Sequence, residues 1–156
     1  MSYTKQLSVL ILALGLISIF GCTKKTTTTS SGTGKSFYVK LDGSAFEPAG
    51  GGRYYDVSAA GGGGIQIVSD DATTTIELRF TAATVGTYAL GVAGSGANSA
   101  SVYYNSGSRE YTSTSGEVKI TKVDGSKISG TFSYSATGIA GTVTVTAGEF
   151  NDIPKM

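Results

Sequence analysis

The chain has 156 residues with twelve basic and eleven acidic side chains and no histidine, so it has no global field to draw it to nucleic acid or to an anionic surface. One cysteine and no histidine remove His/Cys metal centres and the Cys-His and Ser-His-Asp catalytic arrangements, and they rule out an intrachain disulfide. Twenty-three glycines against two prolines is about twice the ordinary glycine share of roughly 7%, without a collagen or Pro-rich signature. It is a turn-rich β composition.

Leu7–Phe20 is a largely apolar run with no charged residue, behind Lys5 and ahead of Gly21-Cys22. A bilayer core needs about 20 apolar residues, and a run of 10–14 suits the h-region of a secretory signal. Ile19-Phe20-Gly21-Cys22 reads as a lipobox, with Phe20 bulkier than the small residue usual at that place. Residues 1–21 are therefore expected to be a lipoprotein signal peptide, and Cys22 to become the acylated first residue of the mature chain. The expected partner of this end is the membrane, through N-terminal acyl chains. Thr23–Lys35 (TKKTTTTSSGTGK) holds no apolar residue and cannot bury enough surface to offset its ordering entropy. Residues 22–35 are expected to be acylated cysteine plus flexible tether, reaching roughly 20 Å as a coil.

From Ser36 to the end the period is two, and residues 36–156 are expected to form one β domain. Phe37, Val39 and Leu41 alternate with polar neighbours before a turn at Asp42-Gly43. Arg53–Ala60, Ile65–Ser69 and Thr74–Thr81 follow as strands separated by glycine runs or Asp70-Asp71. The glycine runs lack the Gly-Lys-Ser/Thr ending and following helix of a phosphate loop. Gly86–Leu90, Ser101–Asn105 and Arg109–Thr112 read as shorter strands, with Gly94–Ala100 as a loop. In Glu117–Ala136 two alternating runs flank Asp124-Gly125, a dipeptide suited to a tight hairpin turn. On its second arm Ile128, Phe132, Tyr134 and Ala136 share a face with Gly130. Gly141–Ala147 alternates again, and Gly148 marks a bulge that re-aims Phe150 into the core. About nine strands at spacings of roughly ten residues, with no helical period after Cys22, predict an all-β fold: an antiparallel β-sandwich, the preferred form, or a partly open barrel.

The order Gly86-Thr87-Tyr88-Ala89-Leu90, Ser115–Thr121, Ser129-Gly130-Thr131-Phe132-Ser133-Tyr134 and Val143–Phe150 (VTVTAGEF) resembles small Bacteroidota lipoproteins that carry a domain of unknown function. The resemblance covers most of residues 36–153, and its signature residues are structural. It implies a β domain anchored to the outer membrane and offers no catalytic residue. It also implies a periplasm-facing domain, because Cys22-Thr23-Lys24-Lys25-Thr26 lacks the acidic residues associated with surface export in such lipoproteins.

Binding candidates are the tyrosine pairs Tyr54-Tyr55 and Tyr103-Tyr104 with Arg53 and Arg109 nearby. Strand alternation sends one ring of each pair inward and the other outward, and exposed tyrosines stack on sugars or anchor protein contacts at low entropic cost. The competing view is that loops partly cover both faces and that the arginines are solvated edge charges. Asp42, Asp70, Asp71 and Asp124 could serve carboxylate catalysis or a calcium site, but each stands where turns favour Asp. No catalytic residue, metal or cofactor is therefore expected. The expected role is a non-enzymatic binding or interaction module, with an envelope protein or glycan as partner and no nucleic acid. A carboxylate-dependent hydrolase of glycans and a purely structural envelope component are the alternatives.

Overall fold

Alternation of apolar and polar residues dictates strands whose apolar faces must meet, and the chain does this with a single sheet bent around its own core. The computed structural model describes residues 35–58, 63–92, 98–104 and 108–156; the apolar N-terminal run, Cys22 and the tether up to residue 34 lie outside them. Among the described residues there is no helix. The strands are β1 (Phe37–Leu41), β2 (Ser44–Phe46), β3 (Gly52–Asp56), β4 (Ile65–Asp70), β5 (Thr74–Phe80), β6 (Gly86–Leu90), β7 (Ser99–Tyr104), β8 (Arg109–Asp124), β9 (Lys127–Gly138) and β10 (Gly141–Pro154).

The all-β antiparallel fold expected from the sequence is present, in the partly open barrel form. Nine strands run in the order β2-β1-β10-β9-β8-β7-β5-β4-β3, and β6 pairs with β8 beside that path. All the ladders are antiparallel. The sheet curls into a half-barrel, and its last strand comes back towards β10: Tyr54 bridges Lys155 in parallel, and the Met156 amide donates to the Tyr54 carbonyl at 2.9 Å. That contact covers part of the β3 edge. At the opposite end of the path β2 is only three residues long and runs into Glu47-Pro48. Shortness and proline both discourage pairing with another chain.

Two segments predicted as separate strands, Arg109–Thr112 and the first arm of the Glu117–Ala136 hairpin, are one strand of sixteen residues, β8. Its first half pairs with β7 and its second with β6. What hides this continuity in the sequence is a bulge between Ser113 and Ser115 followed by Gly116 at φ 142°, which breaks the alternation without ending the ladder. The tight turn at Asp124-Gly125 is as expected, with Gly125 at φ 57°. β3 ends at Asp56, and Ala59–Ala60 lie outside the described residues; β7 starts at Ser99, inside the predicted loop.

The core is aromatic where β9 and β10 pair. Phe132 lies with its ring centroid 5.5 Å from Phe37 and 6.3 Å from both Tyr134 and Phe150. Two glycines admit these rings. Gly130-Thr131-Phe132 runs antiparallel to Gly148-Glu149-Phe150, so that Phe150 faces Gly130 and Phe132 faces Gly148. Each ring covers the partner strand's glycine: a Cβ on Gly148 would stand 2.6 Å from the Phe132 ring, and one on Gly130 would stand 2.5 Å from Phe150 Cζ. The bulge predicted at Gly148 is there, between Val145 and Gly148, with Ala147 at φ 50°, and Phe150 is fully buried beyond it.

Two of the buried serines are satisfied by short side-chain bonds. Ser113 Oγ accepts from the Ala100 amide at 2.9 Å and donates to the Gly91 carbonyl at 2.5 Å. Ser69 Oγ donates to the Gly51 carbonyl at 2.8 Å. Tyr134, in the middle of the core, donates weakly to the Ser101 carbonyl at 3.4 Å. Burial pushes its phenol far above the ordinary tyrosine range. A raised phenol contributes stability that is complete below the unfolded value, about 10, and is lost as pH rises beyond it, because only the unfolded chain then releases the proton. Tyr134→Phe should therefore gain on the wild type in thermal midpoint as pH rises from 9 to 11. Parallel curves for the two proteins over that range would contradict the assignment.

Candidate functional site

Strand alternation divides the predicted binding residues between two places. On β3 the inward positions are Gly52 and Tyr54, and Tyr54 is buried at 3% exposure. Arg53 and Tyr55 point outward and are half-buried. On β7 Tyr104 has the inward register and packs against the core, its ring edge-on to Tyr111 at 5.7 Å, whereas Tyr103 points outward. Arg109 is exposed opposite Tyr104 at the start of β8. The outer face thus holds Arg53, Tyr55 and Tyr103. Tyr104 and Arg109 sit where β7 turns towards β8, and Tyr54 belongs to the core.

The outer face of β3, β4, β5 and β7 is built in rows across the strands. One row runs Tyr55, Gln66, Arg79, Ser99; the next runs Arg53, Val68, Glu77, Ser101; a third runs Asp70, Thr75, Tyr103 and on to Glu110 of β8. Three inter-strand spacings, about 14 Å, and four residues along β7, about 13 Å, separate Tyr55 from Tyr103, roughly 19 Å in all. Both tyrosines have charged neighbours. Arg53 Nε donates to the Tyr55 phenol oxygen at 2.5 Å while Nη1 donates to Asp70 at 2.7 Å. Asp70 and Tyr55 together raise the guanidinium above its ordinary value, so it stays charged and ordered across the two strands. Tyr103 stands beside Glu77 and Glu110; burial first, and then these carboxylates, raise its phenol above the usual range. Arg79 donates to Glu77 at 2.5 Å. Tyr103 therefore stays a neutral hydrogen-bonding phenol at physiological pH.

The aspartates considered for catalysis have structural tasks. Asp42 accepts the Thr144 amide at 2.7 Å from its own turn at φ 48°. Asp71 caps the β4–β5 turn, accepting the amides of Thr73 and Thr74 at 2.7 Å each. These bonds to the ionised form, the Thr73 amide foremost, lower the Asp71 carboxyl below its ordinary 3.8. A depressed carboxyl contributes stability that is complete above that ordinary value and fades as pH falls through the lower folded one. The wild type should therefore be more stable than Asp71→Asn at pH 7, and the gap in thermal midpoint should close by pH 2. A gap of equal size at both pH values would show that the charge on Asp71 has no part in the turn.

Sequence reasoning missed the hydroxyl-rich outer face of β8, β9 and β10. There Ser115, Ser133, Ser135, Thr144 and Thr146 surround a shallow groove of about 250 Å³, with Gly116, Tyr134 and Val145 completing its walls. The alternating serines and threonines were legible as the wet side of a hairpin. The hollow was not, because it depends on bulges in β8 and β10 on either side of β9.

The model of a protein family described as "Domain of unknown function (DUF6252)" matches residues 33–154. No curated protein matches the chain, and no solved structure does.

Proposed function

The chain belongs to the DUF6252 family, and on that footing we propose that it is a non-enzymatic binding module of the cell envelope, tethered to the outer membrane through Cys22 and facing the periplasm. The observation that carries the reading is the outward pair Tyr55 and Tyr103 on one face of the sheet, Tyr55 bonded by Arg53 and Tyr103 beside Glu77 and Glu110. Preorganised aromatic side chains with a polar tip lose little entropy on binding, which is what a recognition surface needs. The turn-capping tasks of Asp42 and Asp71 leave those carboxylates poorly suited to acid–base work. Lys35, the first described residue, forms an ion pair with Glu47, and twelve residues separate it from Cys22.

Two experiments test the two halves of this proposal. Radiolabelled palmitate should enter the wild type and not Cys22→Ala; equal labelling would remove the anchor. Full-length chain immobilised from detergent extracts should retain an envelope component in a saturable manner, and a Tyr55→Ala/Tyr103→Ala variant of unchanged thermal midpoint should release it. Retention by the variant at wild-type level would rule out this face, and turnover of a glycan abolished by substituting one carboxylate would replace the reading with a hydrolase.

A further inference from the structure

The groove on β8, β9 and β10 has a lining unlike the rest of the surface. Five hydroxyls face it, from Ser115, Ser133, Ser135, Thr144 and Thr146, and among the described residues none of the five bonds to another protein group. Each can donate one hydrogen bond and accept two. No Asp, Glu, Lys or Arg lines the hollow. At its rim Lys40 lies opposite Thr146 and Glu117 opposite Ser133, so one charge of each sign flanks it and the two cancel. Next along β10, Glu149 is paired across the strands with Tyr38 and Thr131 and keeps one carboxylate oxygen buried without a hydrogen-bond partner among the described residues.

Backbone geometry forms the hollow. Gly116 adopts φ 142°, and a Cβ there would stand 2.4 Å from both the Ser133 carbonyl oxygen and the Tyr134 Cβ. β8 therefore lies against β9 at a point where no side chain fits. About 250 Å³ falls below the roughly 300–1,000 Å³ of clefts that enclose drug-sized ligands, which limits the occupant to something near one ring in size. An occupant must also match several groups that both donate and accept, and the neutral lining gives an anion or cation nothing to pair with. Sugars meet all three conditions.

We propose that this groove is a binding site for an uncharged sugar residue within a glycan, received by the hydroxyls of Ser115, Ser133, Ser135, Thr144 and Thr146. It is a second site, separate from the tyrosine face, and it stands or falls independently of the function proposed for that face.

Tetra-N-acetylchitotetraose and maltotetraose serve as neutral probes, and heparin as a charged one, each titrated into the isotopically labelled full chain in detergent micelles. At least one neutral probe should produce saturable amide shifts centred on Ser115–Gly116, Ser133–Ser135 and Thr144–Thr146, with a dissociation constant on the order of 1 mM or tighter. Heparin should leave those amides unmoved. The variant Ser133→Ala/Ser135→Ala/Thr144→Val/Thr146→Val, which changes three exposed positions and the half-buried Ser135 and keeps strand-compatible shapes, should bind about tenfold or more weakly. If that variant misfolds, the shift map of the wild type decides by itself. No saturable shift with either neutral probe overturns the proposal, as does unchanged affinity in the folded variant. Shifts centred on Tyr55 and Tyr103 would also overturn it, while supporting the other face as the sugar site.

Discussion

Phe150→Ala should lower the unfolding free energy by about 3–5 kcal/mol, the range for removing a fully buried aromatic side chain. The ring is at 0% exposure, stacks at 6.3 Å on Phe132 and covers Gly130 on the neighbouring strand. Its removal leaves a gap that the residue opposite, Gly130, has no side chain to fill. Urea unfolding of the full chain in micelles measures the change as a shift in midpoint at constant slope. A loss below about 1 kcal/mol, the level of an ordinary surface substitution, would mean that the Phe132–Phe150 stack is not at the centre of the core.

Gly148→Ala makes the same contact fail from the other side. A methyl group on Gly148 would stand 2.6–2.7 Å from three atoms of the Phe132 ring, so the ring must leave its rotamer or β10 must lift from β9. Overpacking of this kind costs typically 1–3 kcal/mol. The cost should be conditional: in a Phe132→Leu background the added methyl has room, so Gly148→Ala should then cost markedly less than it does in the wild type. A double-mutant cycle reads that difference as a coupling energy. Strict additivity would place the clash somewhere other than the Phe132 ring. Together these substitutions explain why the Gly-Thr-Phe and Gly-Glu-Phe sequences stand out among the alternating strands. They are two halves of one reciprocal contact.

Much of this architecture was legible from period-two patterning because a half-buried strand has to alternate. Phe37, Val39 and Leu41, and Ile128 through Ala136, fell on the face the sequence assigned them. Asp124-Gly125 located its turn because few dipeptides accept positive φ so readily. Continuity of β8 was not legible. A bulge at Ser113–Ser115 shifts the register by one residue, and a break in alternation looks the same in sequence whether the strand ends or continues. Nor does alternation choose between two stacked sheets and one curled sheet, since both bury alternate residues. That choice rests on long-range pairing, above all on β10 reaching both β1 and the Tyr54 end of β3.

The candidate site was legible only as residue types. Doublets of tyrosine on a strand guarantee one outward ring each, and Tyr55 and Tyr103 take those places. Nothing in the sequence said that Arg53 would reach both Tyr55 and Asp70, seventeen residues away, because that bond depends on the β3–β4 register. The groove was less accessible still. Its five hydroxyls come from three strands, and only the finished ladder brings them together.

The central claim is that this fold binds through the outward tyrosines of β3 and β7, and photo-crosslinking in living cells tests it most directly. p-Benzoylphenylalanine placed at Tyr55, at Tyr103 and, as an exposed control on β2, five strands from β7 in the sheet order, at Ala45 should give a discrete higher-mass adduct from the first two positions and none from the third. Equal adducts at all three positions, or none at Tyr55 and Tyr103 while the protein is folded and present at wild-type level, would contradict it.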